Sequence, residues 1–127
     1  MSQQPATAPG RARRSMYCGQ AGAEQIGQSV ILKGWVHRRR DHGGIIFIDL
    51  RDRTGLVQLK FDPIELNEAS LDMASRLKNE DVLAVAGQVM RRPEGMENAN
   101  IATGQIEILI KQFEVLSHAE TLPFQID

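Results

Sequence analysis

A stretch of alternating apolar and polar residues in the first half of the chain constrains the fold more than any other feature. Between Ile45 and Arg51, the side chains of Ile46, Ile48 and Leu50 recur at every second position, and Gly55 to Phe61 alternates in the same way. A period of two is typical of a β-strand with one face on a core and the other on solvent. This stretch therefore predicts two successive half-buried strands.

Glycine-containing turns connect these strands to each other and to a third. His42-Gly43-Gly44 precedes the first alternating run and Arg53-Thr54-Gly55 follows it, and both are typical of hairpin connections. A β-rich run from Val30 to Arg39 comes before the first turn and is interrupted at Gly34. We predict a bulge or a close approach of two backbones at that glycine.

The periodicity changes to three or four after the third strand. An amphipathic helix is predicted from Leu66 to Leu77, with Asn67 as its cap. Its expected apolar face comprises Leu66, Ala69, Met73 and Leu77.

Two further strands are predicted over Val82–Met90 and Gln105–Val115, with a long polar loop over residues 92–103 between them. The predicted order is therefore three strands, a helix and two strands. This is the order of an OB-fold, an all-β, five-stranded Greek-key barrel with one helix. In that fold, strands 2 and 3 and the 1–2 and 4–5 loops bind oligonucleotides or oligosaccharides.

The charge of the chain is unevenly distributed. Residues 33–60 contain seven basic and three acidic side chains, a net charge of +4, whereas residues 61–127 contain five basic and twelve acidic ones, a net charge of −7. This asymmetry suggests one face for a polyanion and another for solvent. A charge-balanced β-surface without a partner is the alternative that charge alone leaves open.

The predicted outer face carries side chains suited to single-stranded nucleic acid. Phe47 lies opposite in parity to its apolar neighbours and can stack on an unpaired base, unless a bulge reverses the parity and buries it. Gln58 can donate and accept hydrogen bonds at once, as a pyrimidine edge requires, and Glu107 can accept two from guanine. Each polar residue taken alone is more often an ordinary surface side chain.

Basic residues and a histidine surround these three positions. Arg38 and Arg40 share one face of the first strand, His42 lies in the first loop, and Arg92 begins the 4–5 loop. Arginines placed in this way can hold phosphates, which positions RNA without reading its sequence. An ion-pair network with neighbouring acids is the alternative for any single arginine.

Short motifs spread over most of the chain point to one family. They are Tyr17-Cys18-Gly19, Gly34-Trp35-Val36, Arg38-Arg39-Arg40-Asp41, Ile46-Phe47-Ile48-Asp49, Arg51-Asp52, Gly55-Leu56-Val57-Gln58, Arg92-Pro93-Glu94-Gly95 and Thr103-Gly104 with Ile106-Glu107. Together they resemble the N-terminal anticodon-binding domain of bacterial-type aspartyl-tRNA synthetases of class II.

The resemblance implies a role for each candidate that faces a base. Phe47 would stack on the middle anticodon base, a uridine, and Gln58 would form hydrogen bonds with it. Glu107 would receive the first base, a guanine or its modified form. Arg38 and Arg40 would hold the anticodon backbone and, with the 92–103 loop, the third base.

His42 and the Arg92-Pro93-Glu94-Gly95 stretch resemble the subgroup that charges both aspartate and asparagine tRNAs. The two tRNAs differ at the third anticodon base, C against U. The resemblance therefore suggests relaxed reading of that base.

The resemblance also implies the context of the domain. It covers the OB domain, expected over 16–118, and the start of a hinge to an absent catalytic domain over 119–127, whereas the polar, Pro/Gly/Ala-rich composition of residues 1–15 by itself predicts a disordered arm. The family's ATP-binding arginine motifs are absent, so ATP and Mg²⁺ are expected to act in a parent enzyme that attaches aspartate to tRNA. That parent would be a cytoplasmic homodimer, and the domain itself is expected to use no cofactor or metal.

Other classes receive less support from the sequence. The single cysteine, Cys18, excludes an intramolecular disulfide framework, and the chain lacks the roughly 18 consecutive apolar residues of a membrane span. A free-standing, sequence-tolerant single-strand binder is one remaining alternative, although it would be expected to have more stacking aromatics. A protein- or sugar-binding barrel is the other.

Overall fold

Five strands and one α-helix make up the fold that was expected from the sequence. The computed structural model describes residues 8–119. Its elements are β1 (Ser29–His42), β2 (Ile45–Asp52), β3 (Gly55–Phe61), α1 (Glu68–Ser75), β4 (Val82–Arg91) and β5 (Ile106–Ser117), preceded by 3₁₀ turns at Cys18–Gln20 and Ala23–Gln25. The predicted OB-fold is confirmed.

The strands close into a barrel in the order β1-β2-β3-β5-β4, and β4 pairs back with β1. The described pairs are antiparallel except for β3 and β5, which run parallel. Closure removes the exposed strand edges that an open sheet would present. It also brings β5, the last strand in the chain, beside β3, which contains Gln58.

The first hairpin is made by two glycines with left-handed backbone conformations. Gly43 has φ of 61° and Gly44 has φ of 88°, as a two-residue type I′ turn requires. At Gly34, a Cβ atom would collide with the carbonyl oxygen of Arg51, so the predicted close approach of two backbones is confirmed. The register irregularity of β1 lies slightly later, between Val36 and Arg38.

Alternate positions of the strands fill the barrel, as the period of two predicts. Ile46, Ile48 and Leu50 are buried. The rings of Phe61 in the core and of Phe113, which packs against the core, meet edge to face, with centroids 5.1 Å apart and an interplanar angle of 87°. This is a favourable geometry for aromatic pairs.

The helix forms as predicted, but with a different apolar face. The side chain of Asn67 accepts a hydrogen bond of 2.8 Å from the backbone N–H of Ser70, which confirms the cap. Of the predicted stripe, Leu66 and Leu77 are buried as expected, but Ala69 and Met73 are exposed and Ala74 is buried in their place. A helix of only 8 residues has a single short contact face, and the barrel selects a face one residue further round.

Residues 8–15 pack on the barrel, so this part of the predicted disordered arm differs from expectation. The backbone N–H of Ser15 donates to the carbonyl of Ile31, and the N–H of Ile31 donates to the hydroxyl of Ser15. The N–H of Gly10 donates to Glu114 of β5. Residues 1–7, and residues 120–127 of the predicted hinge, lie outside the described residues. Over 8–119, no helix is long and apolar enough to span a membrane.

Candidate nucleic-acid interface

Phe47 is on the outer face of the barrel, between two basic side chains. It lies opposite Arg40 of β1 and Lys60 of β3 in the sheet register, and residues opposed in an antiparallel ladder share a face. Phe47 is partly exposed, whereas its neighbours Ile46 and Ile48 are buried. The predicted parity is therefore confirmed, and the alternative in which Phe47 belongs to the core is excluded.

Arg40 connects the first three strands. Its Nη1 lies 3.2 Å from Oδ2 of Asp49, and its Nη2 donates a hydrogen bond of 2.8 Å to Oε1 of Gln58. Arg40 therefore forms an ion pair with a neighbouring acid, which the sequence left open as the alternative to a phosphate contact. Arg38, opposite Asp49 in the register, is exposed to solvent.

Gln58 continues the chain of hydrogen bonds to β5. Its Nε2 donates to Oε1 of Glu107 over 3.0 Å. The partners determine the orientation of the amide, since the guanidinium of Arg40 only donates and an ionised carboxylate only accepts. One hydrogen of Nε2 and one lone pair of Oε1 remain available for a ligand.

Glu107 is on the predicted face but is not solvated. It is 3% exposed and Gln58 is 8% exposed. Besides Gln58, its carboxylate faces Lys60, whose Nζ lies 3.7 Å from Oε2. Burying a carboxylate is costly unless it is paired and hydrogen-bonded, and these two neighbours provide that compensation.

Arg92 lies under the loop that connects β4 and β5 instead of on its surface. It is 6% exposed, and its Nε donates a hydrogen bond of 3.0 Å to the carbonyl of Ile106. Burial lowers the pKa of its guanidinium, while the attraction of Glu107 and Asp49 acts in the opposite direction. This arrangement supports the loop, and contact between Arg92 and RNA stays a prediction.

The same loop is attached to the sheet next to Gln58. The hydroxyl of Thr103 donates a hydrogen bond of 2.7 Å to the carbonyl of Leu56 in β3. His42 is exposed at the β1–β2 turn, two ladder positions beyond the Arg40–Phe47 pair and therefore on the same face. The predicted loops and strands therefore border a common outer face.

The predicted alternation already puts Asp49 and Lys60 on this outer face, but neither was among the candidate site residues. Asp49 shares parity with Phe47, and Lys60 shares parity with Gln58. The alternation alone was enough for this placement. What it lacked was the strand register, which places Lys60 directly opposite Phe47.

Comparison with known proteins agrees with this geometry. Residues 30–116 match the family described as "OB-fold nucleic acid binding domain", a range that runs from β1 to β5. The chain belongs to this family.

This OB domain is 53% identical over 114 residues to the aspartate–tRNA(Asp/Asn) ligase of Dictyoglomus turgidum, covering 90% of the chain and 19% of that protein. It is 48% identical over 115 residues to the enzyme of the same name from Geotalea uraniireducens, covering 91% and 19%.

A solved structure shows the same fold in a related synthetase. Asparaginyl-tRNA synthetase from Pyrococcus horikoshii, complexed with asparaginyl-adenylate, superimposes with a TM-score of 0.73 at 27% sequence identity, covering 87% of the chain and 24% of the synthetase. The OB domain thus spans about a fifth of the length of the curated relatives that it matches. The family predicted from the sequence motifs, the anticodon-binding domain of the aspartyl-tRNA synthetase type, is confirmed.

Proposed function

We propose that this domain selects tRNA for a larger aspartate–tRNA ligase by reading the anticodon loop of aspartate tRNA. The observation that carries the proposal is the continuous set of hydrogen bonds from Arg40 through Gln58 to Glu107, beside the partly exposed ring of Phe47. A stacking surface next to pre-oriented polar groups suits unpaired bases.

In this proposal Phe47 stacks on the middle base, a uridine. Arg40 and Lys60 lie on either side of the ring in the register, where cationic side chains can approach the flanking phosphates. Stacking of one base on an aromatic ring is worth about 1–3 kcal/mol. Phe47 therefore supplies affinity and contributes little base discrimination of its own.

Gln58 supplies the discrimination at the middle base. Its amide is held by Arg40 on the oxygen side and by Glu107 on the nitrogen side, so it is not free to rotate to suit a different base. The remaining donor and acceptor match a carbonyl and the adjacent N3–H of uridine. Cytidine has an acceptor in place of that N–H, so the second lone pair of the amide oxygen would face the N3 lone pair without a donor between them.

Glu107 accepts from the first base, a guanine, once it becomes accessible. Lys60 is the neighbour of Glu107 that RNA displaces most easily. Its Nζ is shared between two carboxylates, with Oε2 of Glu107 at 3.7 Å and Oδ2 of Asp62 at 3.9 Å. We propose that Lys60 turns to a phosphate when RNA binds and that guanine N1–H and N2–H₂ replace it on the carboxylate. A charged acceptor strengthens such hydrogen bonds.

Arg38 and Arg40 would hold the anticodon backbone, and His42 with the 92–103 loop would surround the third base. The relatives are named for both aspartate and asparagine tRNAs, which supports relaxed reading of C and U at that position. A preference of more than tenfold for C over U, about 1.4 kcal/mol, would contradict the relaxed assignment.

The activity of the whole protein is part of the same proposal. The parent would attach aspartate to tRNA with ATP and Mg²⁺ bound in a catalytic domain, and it would act as a cytoplasmic homodimer. The relatives' names support the ligase activity. Within the domain, the proposed ligand is tRNA alone.

Titration of the domain with a labelled aspartate-tRNA anticodon stem-loop tests this function. We expect weaker binding when the middle uridine is replaced by cytidine, and a loss of about 5- to 150-fold for Phe47→Ala, the equivalent of 1–3 kcal/mol. Met73→Ala, which truncates an exposed apolar residue on α1, is the matched control and should bind like wild type. If wild type bound the stem-loops with uridine and with cytidine equally well, the proposal would be contradicted. Electrostatic attraction to phosphates would then be enough to explain the binding.

A further inference from the structure

A second cluster of basic side chains lies at the other end of β2 from the β1–β2 turn. The ζ carbons of Arg14 and Arg53 each lie over the ring of Tyr17, 4.6 Å from its centroid. The two ζ carbons are therefore at most twice that distance apart, 9.2 Å. Cation–π contacts of this kind hold guanidinium groups in a defined position.

The two arginines are not neutralised by the acids around them. Within residues 8–119, neither one takes part in a salt bridge. The neighbouring carboxylate of Asp52 already accepts from the backbone N–H groups of Cys18 and Thr54 and from the hydroxyl of Thr54. Two like charges held this close favour the arrival of an anion.

Arg14 also has an unused donor. Across the described range 8–119, its Nε is the one buried side-chain nitrogen or oxygen without a hydrogen-bond partner. A buried donor without an acceptor is unfavourable, and a phosphate oxygen would satisfy it once the side chain of Arg14 turns to bring Nε to the surface. Guanidinium groups bind phosphate through parallel N–H···O bonds.

We propose that Arg14 and Arg53, arranged on Tyr17, bind backbone phosphates of the tRNA outside the anticodon triplet. Arg53 follows Phe47 by six residues along β2 and its turn, a span of about 20 Å, so the two sites contact different nucleotides. We assign the phosphates to the stem that adjoins the loop. The inference rests on the proposed function, because it takes tRNA as the source of the phosphate.

Because phosphate contacts position RNA without reading it, the test compares salt dependence instead of base preference. For the variant Arg14→Gln/Arg53→Gln, we expect weaker binding of the anticodon stem-loop and a slope of log K against log [salt] that is smaller by about two. The loss should be the same factor for stem-loops with the original and the altered middle base. Binding of the unpaired anticodon-loop oligonucleotide should not change.

The variant Arg11→Gln/Arg13→Gln removes the same charge from two exposed positions in the same segment and is the matched control. Arg14→Lys/Arg53→Lys keeps the charge but loses the paired N–H groups, and it should lower affinity while keeping most of the salt slope. Thermal unfolding of each variant establishes that the domain is folded.

An unchanged salt slope, or an equal loss in both glutamine double variants, would overturn the phosphate site. A loss that extends to the unpaired oligonucleotide would also overturn it, because the contact would then belong to the loop. If wild type fails to distinguish the middle base, the anticodon proposal fails instead. In that case the phosphate site is still tested by comparing the salt slope of Arg14→Gln/Arg53→Gln with that of Arg11→Gln/Arg13→Gln.

Discussion

Gln58 and Glu107, 49 positions apart in the chain, are joined by a hydrogen bond of 3.0 Å between Nε2 and Oε1. The bond crosses between β3 and β5, the parallel pair of the barrel. The proposed readers of the first and second anticodon bases are thus a single unit in the RNA-free domain. A change in either residue alters the orientation and charge environment of the other.

Coupling between these two residues should be measurable as non-additivity. Gln58→Ala and Glu107→Ala should each destabilise the domain, and the double variant should be less destabilised than the sum by about 0.5–3 kcal/mol. The reason is that either single change already breaks the shared hydrogen bond. Urea unfolding of wild type, the two single variants and the double variant gives the four free energies of unfolding that this double-mutant cycle needs. A parallel cycle of Gln58→Ala with the exposed Met73→Ala should be additive, and additivity in both cycles would contradict the coupling.

Asp52 should contribute stability that depends on pH. Burial raises its pKa, but hydrogen bonds from Thr54 and Cys18 outweigh burial and hold the pKa below its usual range. Its stabilising contribution is therefore fully present above the unfolded value of about 3.9 and is lost as the pH falls through the folded pKa.

Asp52→Asn should accordingly cost about 1–3 kcal/mol at pH 7, and the difference from wild type should shrink as the solution is acidified below pH 4. Urea unfolding at several pH values measures this difference. Asp72→Asn, at an exposed site on α1, is the control and should have little effect. A penalty for Asp52→Asn that is constant with pH would show that its charge is not responsible.

Cys18 should be unreactive while the domain is folded. Burial, assisted by the negative charge of Asp52, raises the pKa of its thiol far above the usual range, and the thiolate is the reactive form. Iodoacetamide labelling at pH 8, followed by mass spectrometry, should be slow in buffer and fast in guanidinium chloride. Because Cys18 is the single cysteine, one mass increment reports it, and rapid labelling of the native domain would contradict this prediction.

Gly34 should tolerate no side chain. A Cβ at this position would meet the carbonyl oxygen of Arg51, so Gly34→Ala forces the paired strands apart and should cost about 1–3 kcal/mol. Gly22→Ala is the matched control, because its Cβ would meet only Oε1 of Gln25 at 3.6 Å, an ordinary contact. Thermal unfolding measures both, and equal melting temperatures would refute the steric argument.

The sequence by itself was sufficient for features that depend on neighbouring residues. The alternation around Phe47 assigned it to the outer face, the two glycines after His42 predicted a tight turn, and Asn67 was identified as the helix cap. Each of these follows from backbone geometry repeated over a few residues, so a local pattern is enough. The order of the elements then indicated the barrel.

Only the tertiary structure decided which residues share an environment. The period of β5 places Glu107 on the outer face but does not reveal that Gln58 and Lys60 cover it. The apolar face of α1 and the meeting of Arg14 with Arg53 on Tyr17 were likewise not apparent from sequence. These arrangements depend on barrel closure, which brings together segments far apart in the chain and determines register, burial and charge pairing in ways that no local period records.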